Sequence, residues 1–140
     1  MIYSLVGYYS LILGLIIGLS LFYFSYKNFN NPNILDSKIL SFTFLQLFFV
    51  IISFLCLIFS FVFSDFSNET VFNNSHTTKP LFYKISGTWG NHEGSLLLWL
   101  LVLTLFIFLF LIKSRQQPKK YRILTLIFQQ IIIIGFFLFV

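Results

Sequence analysis

The chain has 140 residues, of which 58% are hydrophobic, 21% are aromatic and only 9% are charged. Soluble globular proteins carry about 25% charged residues, so this composition excludes a soluble domain and indicates a membrane protein. The net charge of +5 comes mostly from one short loop. This distribution makes nucleic-acid binding a poor explanation and favours membrane lipids with anionic headgroups as partners.

Four uncharged segments follow one another along the chain. They cover about residues 3–24, 39–63, 95–112 and 123–140. Each approaches the ~20 apolar residues with which an α-helix crosses a bilayer. We therefore predict an all-α, polytopic integral membrane protein, with a single membrane domain over residues 1–140 and four transmembrane helices.

The positive charges predict how these helices are oriented. The loop after the first span holds Lys27 and Lys38, and loop 113–122 holds five basic residues, whereas loop 64–94 holds only two. Short loops rich in Lys and Arg stay on the inner side of a membrane. We therefore expect loop 113–122 to be the inner loop, and the N-terminus and loop 64–94 to lie outside, in the periplasm or intermembrane space.

Small and polar residues within the spans predict helix packing. Gly14 and Gly18 have the small-xxx-small spacing that lets another helix approach closely. Gln129 and Gln130 lie inside the fourth span, where a polar amide requires a partner helix. The chain then ends at Val140 without an interfacial anchor. We expect it to be one piece of something larger, either the product of a split gene or a truncated chain.

The segment "GTWGNHEGSLLLW", residues 87–99, differs from the apolar segments around it. The helical zinc motif requires a second histidine four residues after His92, but that position is Leu96. Ser95 lacks the Gly-x-Ser-x-Gly context of a hydrolase nucleophile. We therefore assign no catalytic residue and no metal ligand.

A structural interpretation explains most of this segment. Ser95 is predicted to be the N-cap of the third span, and Glu93 lies where the helix dipole favours a negative charge. Three glycines permit a tight turn with unusual backbone angles: Gly87, Gly90 and Gly94. The two tryptophans, Trp89 and Trp99, are predicted to be interfacial anchors.

His92 is the residue that this interpretation leaves open. At the outer rim of a span its imidazole could ligate a haem iron or another metal, or donate to a carboxylate such as a haem propionate. A lone interfacial histidine can equally be a structural hydrogen-bond partner. We retain His92, with Trp89 and Trp99 beside it, as candidate cofactor-binding residues.

The longer stretch "PLFYKISGTWGNHEGSLLLWLLVL", residues 80–103, resembles the N-terminal signature of the CcmF/NrfE family. Members of this family are haem lyase subunits of the system I cytochrome c maturation machinery. The residues that match the family pattern one by one are Trp89, Gly90, His92, Glu93, Gly94, Ser95 and Trp99. The resemblance implies that these residues help to shape an outer-face haem cavity.

The resemblance also implies partners and a cofactor. Family members receive haem from the haem chaperone CcmE and attach it to the CxxCH cysteines of apocytochrome c. Their tryptophan-rich domain and haem-ligand histidines lie beyond the part that this sequence resembles. We therefore expect haem to be bound in an assembled complex and not ligated by this chain, which is not catalytic alone. Other CcmF-like chains would complete the lyase.

The expected location is the mitochondrial inner membrane, with the bacterial inner membrane as the alternative. The absence of a presequence, the frequent Phe, Ile and Asn residues typical of an AT-rich coding genome, and the abrupt end fit a split mitochondrial gene. The alternative function is a structural or accessory subunit of a mitochondrial respiratory-chain complex, derived from the same family.

Overall fold

The computed structural model describes residues 1–29 and 36–140, except for the side chains of Asp36 and Ser37. Helices account for most of these residues, and they contain no strand. The helices are α1 (Ile2–Lys27), α2 (Asp36–Val62), α3 (Glu69–Asn74), α4 (Leu81–Gly87), α5 (His92–Lys113) and α6 (Lys119–Phe139), with a 3-10 turn at Ser114–Gln116 between the last two.

Four of these helices, α1, α2, α5 and α6, are long and apolar enough to cross a membrane. Every predicted span therefore corresponds to one of these helices, which confirms the all-α fold with four transmembrane helices. Each helix also turns large apolar side chains outward, and Ile16, Phe44, Phe106 and Phe128 are more than half exposed. Such an apolar exterior is what a bilayer would cover.

The four long helices form an antiparallel bundle. α1 packs against α2 and α6, and α5 packs against the same two helices. The order around the bundle is therefore α1, α2, α5, α6, with α1 and α5 on opposite corners. The connection between α5 and α6 is short, whereas the connection between α2 and α5 is long and contains α3 and α4.

The small residues of α1 lie on its buried face, as predicted. A Cβ atom added to Gly14 would lie 3.0 Å from the Phe137 ring, and one added to Gly18 would lie 2.6 Å from Nε2 of Gln46. These contacts leave no room for a side chain at either position. The two glycines therefore allow α1 to approach both α2 and α6.

A pair of glutamines lies in the middle of the bundle. The Nε2 atom of Gln130 donates to Oε1 of Gln46 over 3.0 Å, and Nε2 of Gln46 donates back over 3.3 Å. Both side chains are fully buried. The partner that Gln130 requires is thus in this chain, and its presence does not argue for a missing helix. Gln129 donates to the carbonyl of Leu103.

The basic loops meet at one end of the bundle. The Lys120 ammonium lies 5.1 Å from the centre of the Phe29 ring. This contact joins the segment after α1 to the start of α6. Arg122 is buried and donates from Nη2 to the carbonyl of Leu111 over 3.1 Å, and from Nε to Oγ of Ser114 over 3.2 Å. The guanidinium group therefore caps the carbonyl end of α5 from the first turn of α6.

Candidate functional site

Residues 87–99 form the joint between α4 and α5, at the end of the bundle opposite the basic loops. α5 begins at His92, before the predicted start of the third span at Ser95. Thr88, in the turn, is fully buried, and a Cβ atom added to Gly87 would lie 3.5 Å from the ring of the fully buried Phe61. The turn is therefore packed directly against the end of α2.

Asn91 holds this joint together. Its Oδ1 accepts from the Gly94 N–H over 2.6 Å, while its Nδ2 donates to the carbonyls of Gly87 and Thr88 over 2.9 and 3.3 Å. One amide group thus satisfies a free N–H at the start of α5 and free carbonyls at the end of α4. The prediction that Ser95 is the N-cap is wrong, because its hydroxyl lies inside the helix and donates to the His92 carbonyl.

Gly94 is required by a close contact and not by its backbone angles. None of the described glycines has a positive φ, so the expectation of unusual angles at Gly87, Gly90 and Gly94 is wrong. A Cβ atom at Gly94 would lie 1.6 Å from the carbonyl oxygen of Thr88. Any side chain there would push the turn away from α5.

His92, Trp89 and Trp99 lie on the outside of this joint. Trp89 is 42% exposed and Trp99 is 59% exposed, and His92 is also exposed. His92 and Trp99 are two helical turns apart on the same side of α5, away from the buried Leu97 and Leu100. The His92 imidazole makes no hydrogen bond with the residues that the structure describes; only the His92 backbone carbonyl accepts one, from Ser95. The structure thus places His92 and Trp99 on a face that this chain leaves open.

Glu93 lies beside a cavity at the end of the bundle where α4 and α5 meet. The cavity has a volume of about 240 Å³ and lies between α1, α2 and α5, with polar groups from α3 at its rim. Its lining residues include Tyr3, Ser60, Glu69, Glu93 and Leu97. The Ser60 hydroxyl is buried and has no hydrogen-bond partner within the described ranges. The cavity can therefore hold water or a small polar group.

A haem group does not fit these residues alone. Small-molecule pockets span roughly 300–1,000 Å³, which is more than the volume of this cavity. Neither His76 nor His92 is among the lining residues. Within the described part of the chain no group of three or more metal-ligating side chains converges. No step of haem chemistry is therefore assigned to these side chains.

Asp65, at the same end of the bundle as the cavity, has a lowered pKa. The ammonium group of Met1 and the hydroxyl of Ser67 donate to Asp65. These hydrogen bonds, with that from Met1 the stronger influence, hold the pKa of Asp65 below its ordinary value. The first turn of α1 is thereby tied to the segment that follows α2.

Sequence reasoning missed Asn91, although a signal for it was present. Asparagine is among the preferred N-cap residues, and Asn91 directly precedes the residues "HEGS". Its second contact, to the end of α4, could not be read from the sequence because it depends on the path of the turn.

Known proteins resemble this chain clearly, although no family model matches it. A cytochrome c-type biogenesis protein CycK of Rhizobium meliloti is 47% identical over 91 residues, which cover 65% of this chain and 14% of that protein. CcmF of Escherichia coli, described as a cytochrome c-type biogenesis protein, is 39% identical over 63% of this chain and 14% of its own length. NrfE of Haemophilus influenzae is 36% identical over 60% of this chain.

A solved structure shows the same fold. The structure of a cytochrome c haem lyase CcmF superimposes with a TM-score of 0.88 and 24% sequence identity, over 96% of this chain and 23% of that chain. The matched region spans about one seventh of the length of the curated relatives. Over that region, the chain is similar in sequence to the cytochrome c-type biogenesis proteins CycK, CcmF and NrfE and has the fold of CcmF.

Proposed function

We propose that this chain is the N-terminal membrane section of a CcmF-like haem lyase. It assembles with one or more CcmF-like polypeptides and supports covalent attachment of haem to apocytochrome c. Similarity in both sequence and fold supports the proposal. The sequence is 47% identical to CycK, and the fold superimposes on CcmF with a TM-score of 0.88. The match to only 14% of the relative's length favours an incomplete unit.

The role of the chain in this assembly is to provide a rigid outer rim. The joint is fixed by Asn91 and Gly94, so the exposed side chains of Trp89, His92 and Trp99 have defined positions. A rigid element orients binding groups better than a mobile loop does. Haem is then enclosed between this rim and the completing polypeptide, which supplies the iron ligands. The haem chaperone CcmE and apocytochrome c approach from the same side.

The proposed location is an energy-transducing inner membrane, mitochondrial or bacterial, with the joint outside. All seven basic residues of the two basic loops belong to one end of the antiparallel bundle, and only Lys79 and Lys84 belong to the other. The positive-inside rule places the richer end on the matrix or cytoplasmic side.

Purification of the native complex through an affinity tag on this chain tests the proposal. Mild detergent extraction followed by mass spectrometry is expected to recover a second CcmF-like polypeptide in a fixed ratio. An unrelated membrane protein with the same tag is the control. Recovery of respiratory-chain subunits with no CcmF-like polypeptide would contradict the proposal and favour an accessory subunit.

A further inference from the structure

The end of the bundle opposite the joint contains a groove that the proposed function does not use. It lies between the last turn of α5 and the first turn of α6 and has a volume of about 320 Å³. Its lining residues are Phe110, Lys113, Ser114, Gln117 and Tyr121.

The lining changes from apolar to polar along the bundle axis. The Phe110 and Tyr121 rings meet edge to face at a centroid distance of 6.3 Å, and Phe110 lies about one helical turn nearer the middle of the bundle than Lys113. Lys113 and Gln117 lie at the end of α5 and in the turn that follows. The apolar and polar parts of a phospholipid follow the same order, with acyl chains toward the middle of the bilayer and a charged headgroup at its surface.

The polar part of the groove is rich in hydrogen-bond donors. α6 begins after Pro118 without a side-chain cap, and the first N–H groups of a helix have no partner within the helix itself. Helix N-termini attract anions for this reason. The Ser114 hydroxyl accepts from Arg122 and keeps its own proton for a further acceptor. The Gln117 amide and the Lys113 ammonium supply additional donors.

The charges around the groove are all positive among the described side chains. Arg115, Lys119 and Lys120 belong to the same turn and the start of α6, next in sequence to the lining residues, and are exposed. The three carboxylates that the structure describes, Asp65, Glu69 and Glu93, belong to the opposite end of the bundle. An anion in the groove would therefore meet donors and cations, with no described carboxylate opposing it.

From these observations we infer that the groove is a binding site for the phosphodiester headgroup of an anionic phospholipid. The phosphate lies against Lys113, Gln117 and the first turn of α6, and an acyl chain lies along Phe110 and Tyr121. Free phosphate offers the same oxygens but no chain for the aromatic wall. The inference does not depend on the role in cytochrome c biogenesis.

Native mass spectrometry of the detergent-extracted assembly tests this site. Phosphatidylglycerol is titrated and compared with phosphatidylcholine and with inorganic phosphate. Each lysine near an anionic surface contributes roughly a fivefold change in affinity. Lys113→Gln with Lys119→Gln should therefore reduce phosphatidylglycerol binding about twentyfold. The matched control is Lys79→Gln with Lys84→Gln, which removes the same charge at the opposite end and should leave binding within twofold.

A second variant separates a built site from diffuse attraction. Gln117→Leu removes two donors and no charge, and it should reduce phosphatidylglycerol binding several-fold while circular dichroism shows unchanged helix content. Equal loss in both lysine pairs, or unchanged binding in Gln117→Leu, would overturn the site. Binding of inorganic phosphate as tight as that of phosphatidylglycerol would overturn the assignment to a lipid.

Discussion

The two turns at opposite ends of the bundle connect helices in different ways. At the α4–α5 joint, Asn91 caps the start of α5 and also binds the end of α4. At the basic turn, α6 begins after Pro118 without a side-chain cap, and Arg122 instead reaches back to the Leu111 carbonyl at the end of α5. The α4–α5 joint pairs backbone donors and acceptors internally, although the buried Thr88 hydroxyl has no partner within the described residues. The basic turn pairs carbonyl acceptors and leaves the start of α6 without a side-chain cap.

This difference has a consequence for binding. A turn whose donors are occupied presents only its exposed side chains, here His92 and the two tryptophans. A turn with open N–H groups and surrounding lysines attracts anions. The α4–α5 joint thus fits the proposed role of a rigid rim, and the basic turn fits the proposed contact with headgroups.

The largest expected effect is at the α4–α5 joint, with Gly94→Ala. The new methyl group would meet the Thr88 carbonyl oxygen at 1.6 Å, and a backbone atom cannot rotate away as a side chain can. Overpacking costs about 1–3 kcal/mol, and we expect a loss near the upper limit, measured by denaturant unfolding in detergent.

The matched control for this change is Gly135→Ala in α6, where a Cβ atom meets nothing within 4 Å. Its effect should be within about 1 kcal/mol, in the stabilising direction because alanine favours a helix. Equal destabilisation by the two changes would contradict the close contact at Gly94.

Arg122→Gln should have the next largest effect, because it breaks the internal link of the basic turn. Hydrogen bonds to a charged group contribute about 1.5–3 kcal/mol, so we expect a loss of about 2 kcal/mol in the same unfolding measurement. Arg115→Gln removes an exposed charge from the same turn and should cost less than about 0.5 kcal/mol. Similar losses in both variants would show that charge, and not the buried contacts, stabilises the turn.

Asn91→Ala removes the cap of α5 and should cost about 1 kcal/mol. Asn91→Asp retains an acceptor for the Gly94 N–H but loses the donors to Gly87 and Thr88, so its loss should be smaller. Ser95→Ala, which removes only a bond within the helix, should change the unfolding free energy by less than about 0.5 kcal/mol. A larger loss from Ser95→Ala than from Asn91→Ala would restore Ser95 as the important residue.

The smallest expected effect comes from adding a cap to the basic turn with Pro118→Ser. A serine at this position can accept from the first turn of α6, which should stabilise the helix by about 0.5 kcal/mol. It should also weaken phosphatidylglycerol binding, because one donor is no longer open. Tighter binding would contradict the role assigned to the uncapped turn.

The sequence predicted the helices well and the joint poorly, for a physical reason. Long apolar segments and the spacing of Gly14 and Gly18 are local patterns, and each maps directly onto a helix or its buried face. The pairing of Gln130 with Gln46 depends on which helices are neighbours across the bundle. The Asn91 and Gly94 contacts depend on the path of a turn, which sequence spacing alone does not determine.

The candidate site shows the same division. Residues 80–103 carried the resemblance to the CcmF/NrfE family. The structure adds that His92 and Trp99 share an exposed face of α5, while Glu93 lines a separate cavity. Because α5 begins at His92, both His92 and Glu93 are helical and project from different faces of α5. That start was predicted at Ser95 and lies at His92.

The central claim is that this chain is a working part of a haem lyase, and covalent haem on cytochrome c tests it most directly. When the chain is depleted from cells that contain it, haem staining of denatured cytochrome c should fall while the apocytochrome polypeptide persists with free CxxCH thiols. Restoring the wild-type chain should restore the stain. Normal haem attachment after complete depletion, with loss of a respiratory complex instead, would contradict the account.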